Sequence, residues 1–147
     1  METRYLYRAK RIYNGDWVCG YIARYGHTGR EQYYIIPSYA SDLYSFLIDK
    51  NTICQCTGLK DKNGNLIWEN DILDGFTYPY MSGGVHNYYV EVCWCSNVPG
   101  FGIYTQKYPE SKVAGISVGM TELMEDWNPN DWKVIGNTFD NPELLEE

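Results

Sequence analysis

Four of the five cysteines fall in two Cys-x-Cys pairs, Cys54-Gln55-Cys56 and Cys93-Trp94-Cys95. Four thiolates are what a tetrahedral zinc site needs. On a strand, residues i and i+2 share a face, so each pair could present two sulfurs together. The spacing argues against a metal. Structural zinc sites set their cysteines two to four residues apart on a tight knuckle, and neither pair carries turn residues. Small buried cysteines are common in cores, so Cys54 and Cys56 read as inward strand positions and the thiols as inert. No metal and no other cofactor is expected.

Other chemistries find less support. A serine or cysteine nucleophile needs a base, and the two histidines, His27 and His86, both sit in glycine-rich loops with no triad context. They read as solvated. Carboxylate pairs such as Glu69/Asp71 and Glu125/Asp126 are too common to discriminate anything, and the carboxylate–lysine spacing of a nuclease metal centre is not evident. Gly83-Gly84 lacks the following Lys-Ser/Thr and helix of a phosphate-cradling loop. No catalytic residue is expected, and the chain reads as a non-enzyme.

Aromatic side chains are the remaining lead. Tyr33, Tyr34, Tyr78, Tyr80, Tyr88 and Tyr89 could stack bases or line a peptide groove. With fifteen tyrosines in the chain, most of them read as packing on a sheet. Arg4, Arg8, Lys10 and Arg11 alternate partly to one side of the first strand and could hold phosphates locally. Tyr78, Tyr80, Arg4 and Arg8 are therefore the residues assigned to an interaction surface.

The elements that must position these groups are mostly short strands. Tyr5, Tyr7, Ala9 and Arg11 alternate with Leu6, Arg8, Lys10 and Ile12, which is strand periodicity. Asn14-Gly15 supplies a tight hairpin turn, followed by a strand over about Trp17–Tyr25, a loop at Gly26–Arg30, and a strand at Tyr33–Ile36 stopped by Pro37. Ser41-Asp42 looks like a helix start, with Leu43, Phe46 and Leu47 at i, i+3 and i+4, so a short helix is expected there. Asn63-Gly64 is a second hairpin signal. Further strands are expected at Asp71–Phe76, Asn87–Cys95, Phe101–Thr105 and Asp131–Ile135. Tyr78–Gly84 reads as a loop, and as a candidate binding loop because it is aromatic. Asn141 as N-cap, Pro142 at the first helical position and Glu143 near the positive end predict a C-terminal helix of barely two turns. Several short strands at this spacing point to a closed or partly closed barrel, which protects sheet edges.

Length and charge bound the rest. A chain of 147 residues suits one domain, or one with a substantial extension, and its 44% apolar content is enough for a real core. The formal charge of −7 argues against an affinity built on nucleic-acid phosphates. It is unevenly spread: +3 over residues 1–36, −3 over 37–118 and −7 over 119–147. The plain reading is solubility or complementarity within the chain. A sharper one is contact between oppositely charged ends of neighbouring copies. Met1-Glu2-Thr3-Arg4 does not open a leader peptide, and no run approaches the ~18 apolar residues that span a bilayer. The expectation is a soluble protein of the cytoplasm with free thiols and no membrane partner.

With those residues in view, the chain resembles the YopX family of phage and prophage proteins. The resemblance is carried by Arg4-Tyr5-Leu6-Tyr7-Arg8 with Trp17 and Gly20-Tyr21, then by Thr57-Gly58-Leu59-Lys60-Asp61-Lys62-Asn63-Gly64 and Glu69-Asn70-Asp71-Ile72. It closes with Ile135-Gly136-Asn137 and Asp140-Asn141-Pro142-Glu143-Leu144-Leu145. The family usually reads Glu-Gly-Asp-Ile where this chain has Asn70. If that bend needs positive φ, asparagine is among the least costly substitutes. The resemblance implies a β-rich protein whose later part is an SH3-like barrel, a phage or mobile-element origin, and no established catalytic residues.

The sequence thus reads as mainly β with a minor α component. An N-terminal β-hairpin region with a short helix occupies residues 1–51, an SH3-like, partly open β-barrel residues 52–140, and a short helix or tail residues 141–147. Gly58, Asp61, Asn63, Gly64 and Asp71 are assigned to turns, Asx-type hydrogen bonds and a barrel bend. The expected function is a non-catalytic phage interaction module that binds a protein partner or its own copies. The alternative is a nucleic-acid-associated phage protein using the basic first strand and exposed tyrosines.

Overall fold

Strand alternation in the first third of the chain becomes an antiparallel meander. The computed structural model describes residues 6–37, 45–79, 85–95, 100–107, 121–123 and 132–145. By its internal contacts the chain divides into two units, Met1–Gly58 and Leu59–Glu147.

In the first unit, β1 (Tyr7–Lys10), β2 (Trp17–Tyr25), β3 (Gln32–Pro37) and β4 (Phe46–Ile48) follow one another, and β5 (Cys54–Lys60) begins there. β1 pairs with β2 from Tyr7↔Gly20 to Lys10↔Trp17, and with β5 at Arg8↔Cys54. The Asn14-Gly15 turn closes the first hairpin: Gly15 has φ 74, and the Arg11 amide donates to the Asp16 carbonyl at 2.8 Å. One face of the meander forms a core of Ala9, Ile35 and Ile48, packed by Val18, Ile22, Tyr33 and Ile53. Gly20 is required by space, because a Cβ there would collide with the Ile36 carbonyl on β3.

One expectation fails in this unit. Phe46 and Leu47, read as helical positions, are strand residues of β4, paired with β3 from Tyr33↔Ile48 to Ile35↔Phe46; Ser41–Tyr44 lie outside the described residues. A helix of one or two turns is marginal by itself, whereas β3 offers Phe46–Ile48 a ready ladder. β4 is also met from its other side. An isolated bridge joins Arg11↔Ile48, with the Ile12 amide donating to the Leu47 carbonyl at 3.2 Å. The 3-10 turn Lys50–Thr52 follows, capped by the Asp49 carboxylate accepting the Asn51 amide at 3.0 Å.

The second unit holds β6 (Leu66–Trp68), β7 (Asp71–Pro79), β8 (Val85–Cys95), β9 (Gly100–Lys107), β10 (Thr121–Leu123) and β11 (Lys133–Asn137). Its five-stranded antiparallel sheet has the order β10-β9-β8-β7-β11; the other sheet runs β4-β3-β2-β1-β5-β6. Ile67, Leu73, Val90, Val92 and Trp132 form the core, with Leu59 and Val134 against it. No closed barrel is found among the described residues, and the SH3-like, partly open barrel expected over 52–140 is not confirmed there; what is described is a five-stranded antiparallel sheet. Its β11 edge is engaged. There the Val134 amide donates to the Asp61 carboxylate at 3.0 Å and the Trp132 carbonyl accepts the Lys62 amide at 2.9 Å, so the β5–β6 turn occupies backbone groups that another strand would need. The C-terminal helix is reduced to a 3-10 turn, Pro142–Leu145. Tyr78 and Pro79, read as loop, belong to β7, and residues 80–84 lie outside the described residues.

Candidate functional site

The stretch from Gly58 to Asp71 is built around two carboxylates. Asp61 is 4% exposed, and its Oδ1 accepts the amides of Asn63 and Asn65, each at 2.9 Å. Its Oδ2 accepts the Val134 amide at 3.0 Å, from a residue 73 positions further on, and the Asn65 side-chain amide at 3.5 Å. Burial pushes the Asp61 carboxyl up, but the amides of Val134, Asn65 and Asn63, with the Asn65 side chain, outweigh it and hold the group below the ordinary carboxylate value. Gly64 (φ 83) completes the turn, its amide donating to the Asp61 carbonyl at 3.0 Å. Gly58, at φ 82, is exposed, and its amide donates to the Cys56 sulfur at 3.4 Å.

Asp71 is 1% exposed, and its Oδ2 accepts the Trp68 amide at 2.8 Å across the bend between β6 and β7. Asn70 at the bend has φ 71 and is the one non-glycine residue with positive φ among those described. Its amide donates to the Val92 carbonyl at 2.9 Å, and its carbonyl accepts the Thr138 amide at 3.0 Å. The closing Ile-Gly-Asn stretch has the same character. Asn137 Oδ1 accepts the amides of Phe139 and Asp140, and Asn141 Oδ1 reaches the Asn137 amide at 3.3 Å. A Cβ on Gly136 would lie 2.5 Å from that Asn141 oxygen. These side chains are spent on backbone amides, and their chemistry is that of turns.

The described cysteines form no disulfide. Cys54 and Cys56 are buried inward positions of β5, Cys93 is half-buried on β8, and Cys19 is exposed on β2. Desolvation of the Cys19 sulfur raises its pKa despite that exposure, opposed by the Arg8 guanidinium and reinforced by Cys56. Among the described residues no group of three or more His, Cys, Asp or Glu side chains is arranged to hold a metal.

Of the residues assigned to an interaction surface, Arg4 and Tyr80 lie outside the described residues. Tyr78 sits on β7 opposite His86. Arg8 is described, with its guanidinium carbon 4.6 Å from the Trp17 ring centroid, and the Lys10 ammonium lies 5.4 Å from the same ring. Arg8 and Lys10 thus share one face of the first unit with Trp17, Cys19, Tyr21 and Tyr25, at alternate positions of β2. That face is opposite the Ala9–Ile35–Ile48 core. Tyr21 is 40% and Tyr25 54% exposed, while Ile12 and Tyr13 at the β1–β2 tip are 60% and 91% exposed. The same face is buried where it reaches Cys54 and Cys56. The grouping of Trp17, Tyr21 and Tyr25 escaped the sequence reading, although spacing four apart within an alternating strand places all three on one side.

No curated protein matches the chain. Three chains among the solved structures do, one of them protein EF1440 from Enterococcus faecalis. It is 22% identical with a TM-score of 0.49, over 95% of this chain and 96% of that one. No helix among the described residues is long and apolar enough to cross a membrane. A family described as YopX protein matches residues 6–146, a span that includes the Asp61 turn, the Asn70 bend and the Asn137–Asn141 closure, and the chain therefore belongs to the YopX family.

Proposed function

We propose that the chain is a non-catalytic interaction module of a phage or prophage, acting in the cytoplasm of a bacterial host. Its first unit would dock a partner protein on the face that carries Trp17 and Tyr21, with Ile12 and Tyr13 at the adjoining hairpin tip. The observation that carries this reading is the exposure of Ile12, Tyr13 and Tyr21 beside a half-buried Trp17 on one small unit, with its core on the opposite face. Aromatic anchors of this kind dominate binding energy when a partner desolvates them. Arg8 and Lys10, held across Trp17, favour a partner that brings carboxylates to the rim of an apolar contact. A phosphate track along β1 gains no support from side chains engaged with that ring. The reading requires no closed barrel, since an open sheet face presents the same side chains.

Affinity capture from cells carrying the phage element tests it, comparing the native chain with a Tyr13→Ser/Tyr21→Ser variant. The expected result is a discrete protein retained by the native chain and lost from the variant, which then binds the native chain in purified form. Identical sets of captured proteins would overturn the assignment of this face. Retention of further copies of the chain alone would replace the partner protein by self-association.

A further inference from the structure

At the other end of β2 a different chemistry is assembled. The β2–β3 hairpin tip reads Arg24-Tyr25-Gly26-His27-Thr28-Gly29-Arg30, and every one of these residues is exposed. β1 pairs with β2 only from Trp17 to Gly20, so along Tyr21–Tyr25 the only ladder partner of β2 among the described residues is β3. The tip is a formed loop. The Arg30 amide donates to the His27 carbonyl at 2.8 Å, and Gly26, at φ 120, leaves no room for a Cβ, which would lie 2.6 Å from the Arg30 carbonyl. The nearest carboxylate in sequence, Glu31, is turned to the loop backbone, its Oε2 accepting the Gly29 amide at 3.1 Å. Tyr25 is held edge-on to Tyr34 with ring centroids 5.5 Å apart, and the Tyr34 hydroxyl donates to Gln32 Oε1 at 3.0 Å.

We infer that this hairpin tip binds single-stranded nucleic acid, with Tyr25 stacking on a base and Arg24 and Arg30 meeting backbone phosphates. Arg24 and Tyr25 are successive residues of β2 on opposite faces and Arg30 stands in the loop, so two cations and an aromatic ring share the tip with one acid, Glu31, whose carboxylate is turned to the loop backbone. That is the combination single-strand binders use: sequence-tolerant stacking on an aromatic face beside positive charge that tracks the backbone. A duplex buries its base faces in the stack and cannot offer one to Tyr25. The acidic excess of the chain lies elsewhere, with −7 of its formal charge in residues 119–147. This assignment moves nucleic-acid contact from the basic first strand to the hairpin tip; Tyr25 lies on the same face of β2 as Trp17 and Tyr21, at its far end, and none of the residues named for protein docking is used.

Fluorescence anisotropy with labelled 12-mer oligo-dT and oligo-rU decides it, against a blunt 12-base-pair duplex and unlabelled heparin as competitor. Single strands should bind in 50 mM salt and weaken about 7-fold at 200 mM, the response of two phosphate contacts. Tyr25→Ser should weaken binding about 10-fold or more while Tyr25→Phe retains it, and Arg24→Glu/Arg30→Glu should abolish it with the circular dichroism unchanged. Absence of single-strand binding at 50 mM salt overturns the inference. Equal affinity for the duplex, or a Tyr25→Ser variant that binds heparin and single strands as the native chain does, also overturns it, because charge alone would then be at work.

Discussion

Replacing Asp61 is the most direct way to test what holds the second unit together. Its carboxylate accepts three backbone amides while only 4% exposed, and a hydrogen bond to a charged group contributes about 1.5–3 kcal/mol. The three are not equal. Asn63 and Asn65 lie in an exposed turn, so their amides rehydrate after truncation and each loss costs about 0.5 kcal/mol, the low end for a hydrogen bond. Val134 is half-buried on β11, so its amide would be stranded where the carboxylate stood, at about 2 kcal/mol. Asp61→Ala should therefore destabilise the unit by about 3 kcal/mol, a large share of the ~5–15 kcal/mol of a typical domain. Asp61→Asn should cost about 1–2 kcal/mol, since its carbonyl can serve some of the amides without the charge. Urea unfolding followed by the fluorescence of the buried Trp68 and Trp132 gives both values. The folded-state pKa of Asp61 lies below its unfolded value, so its contribution is fully present above the ordinary carboxylate value of about 3.9. It is lost as pH falls through the folded value. The gap between the native chain and Asp61→Asn should hold steady above about pH 5 and close in stronger acid. A loss under about 0.5 kcal/mol for Asp61→Ala, or a gap indifferent to pH, would refute the reasoning.

Two further substitutions probe the backbone. Asn70→Gly should be neutral or slightly stabilising at φ 71, whereas Asn70→Ala should cost about 1–2 kcal/mol, the penalty of a left-handed residue; equal stability of the two variants in urea would show that the bend relaxes. Gly20→Ala forces a methyl group into the Ile36 carbonyl and should cost about 3 kcal/mol, the upper end for overpacking. Its readout is a lowered thermal midpoint with faster amide exchange along β3, and an unchanged midpoint would mean that β2 and β3 can separate at little cost.

Turns were legible wherever the residues that make them are neighbours in the chain. Asn14-Gly15 and Asn63-Gly64 turn as read, and Asn70 takes the positive φ expected of a residue standing in for glycine. The strands expected around Trp17–Tyr25, Tyr33–Ile36 and Asn87–Cys95 are present with bounds shifted by a few residues. β4 was misread because Phe46 and Leu47 satisfy a helical spacing as well as a strand, and only the presence of β3 decides between them. β10, three residues long, has no periodicity to detect. In the candidate surface, Arg8 was legible as a charge near an aromatic strand. Its ring partner was not, because the Arg8–Trp17 stack depends on the register that the first hairpin adopts.

The sequence by itself determined the mainly β character, the principal turns and the family, because alternation and turn residues act within a few positions of one another. The tertiary structure decided which strands pair and which of the described aromatic residues face outward. Those outcomes rest on contacts between distant residues, such as the Asp61 carboxylate accepting an amide 73 positions away. A residue type cannot announce a partner that only the folded chain brings to it.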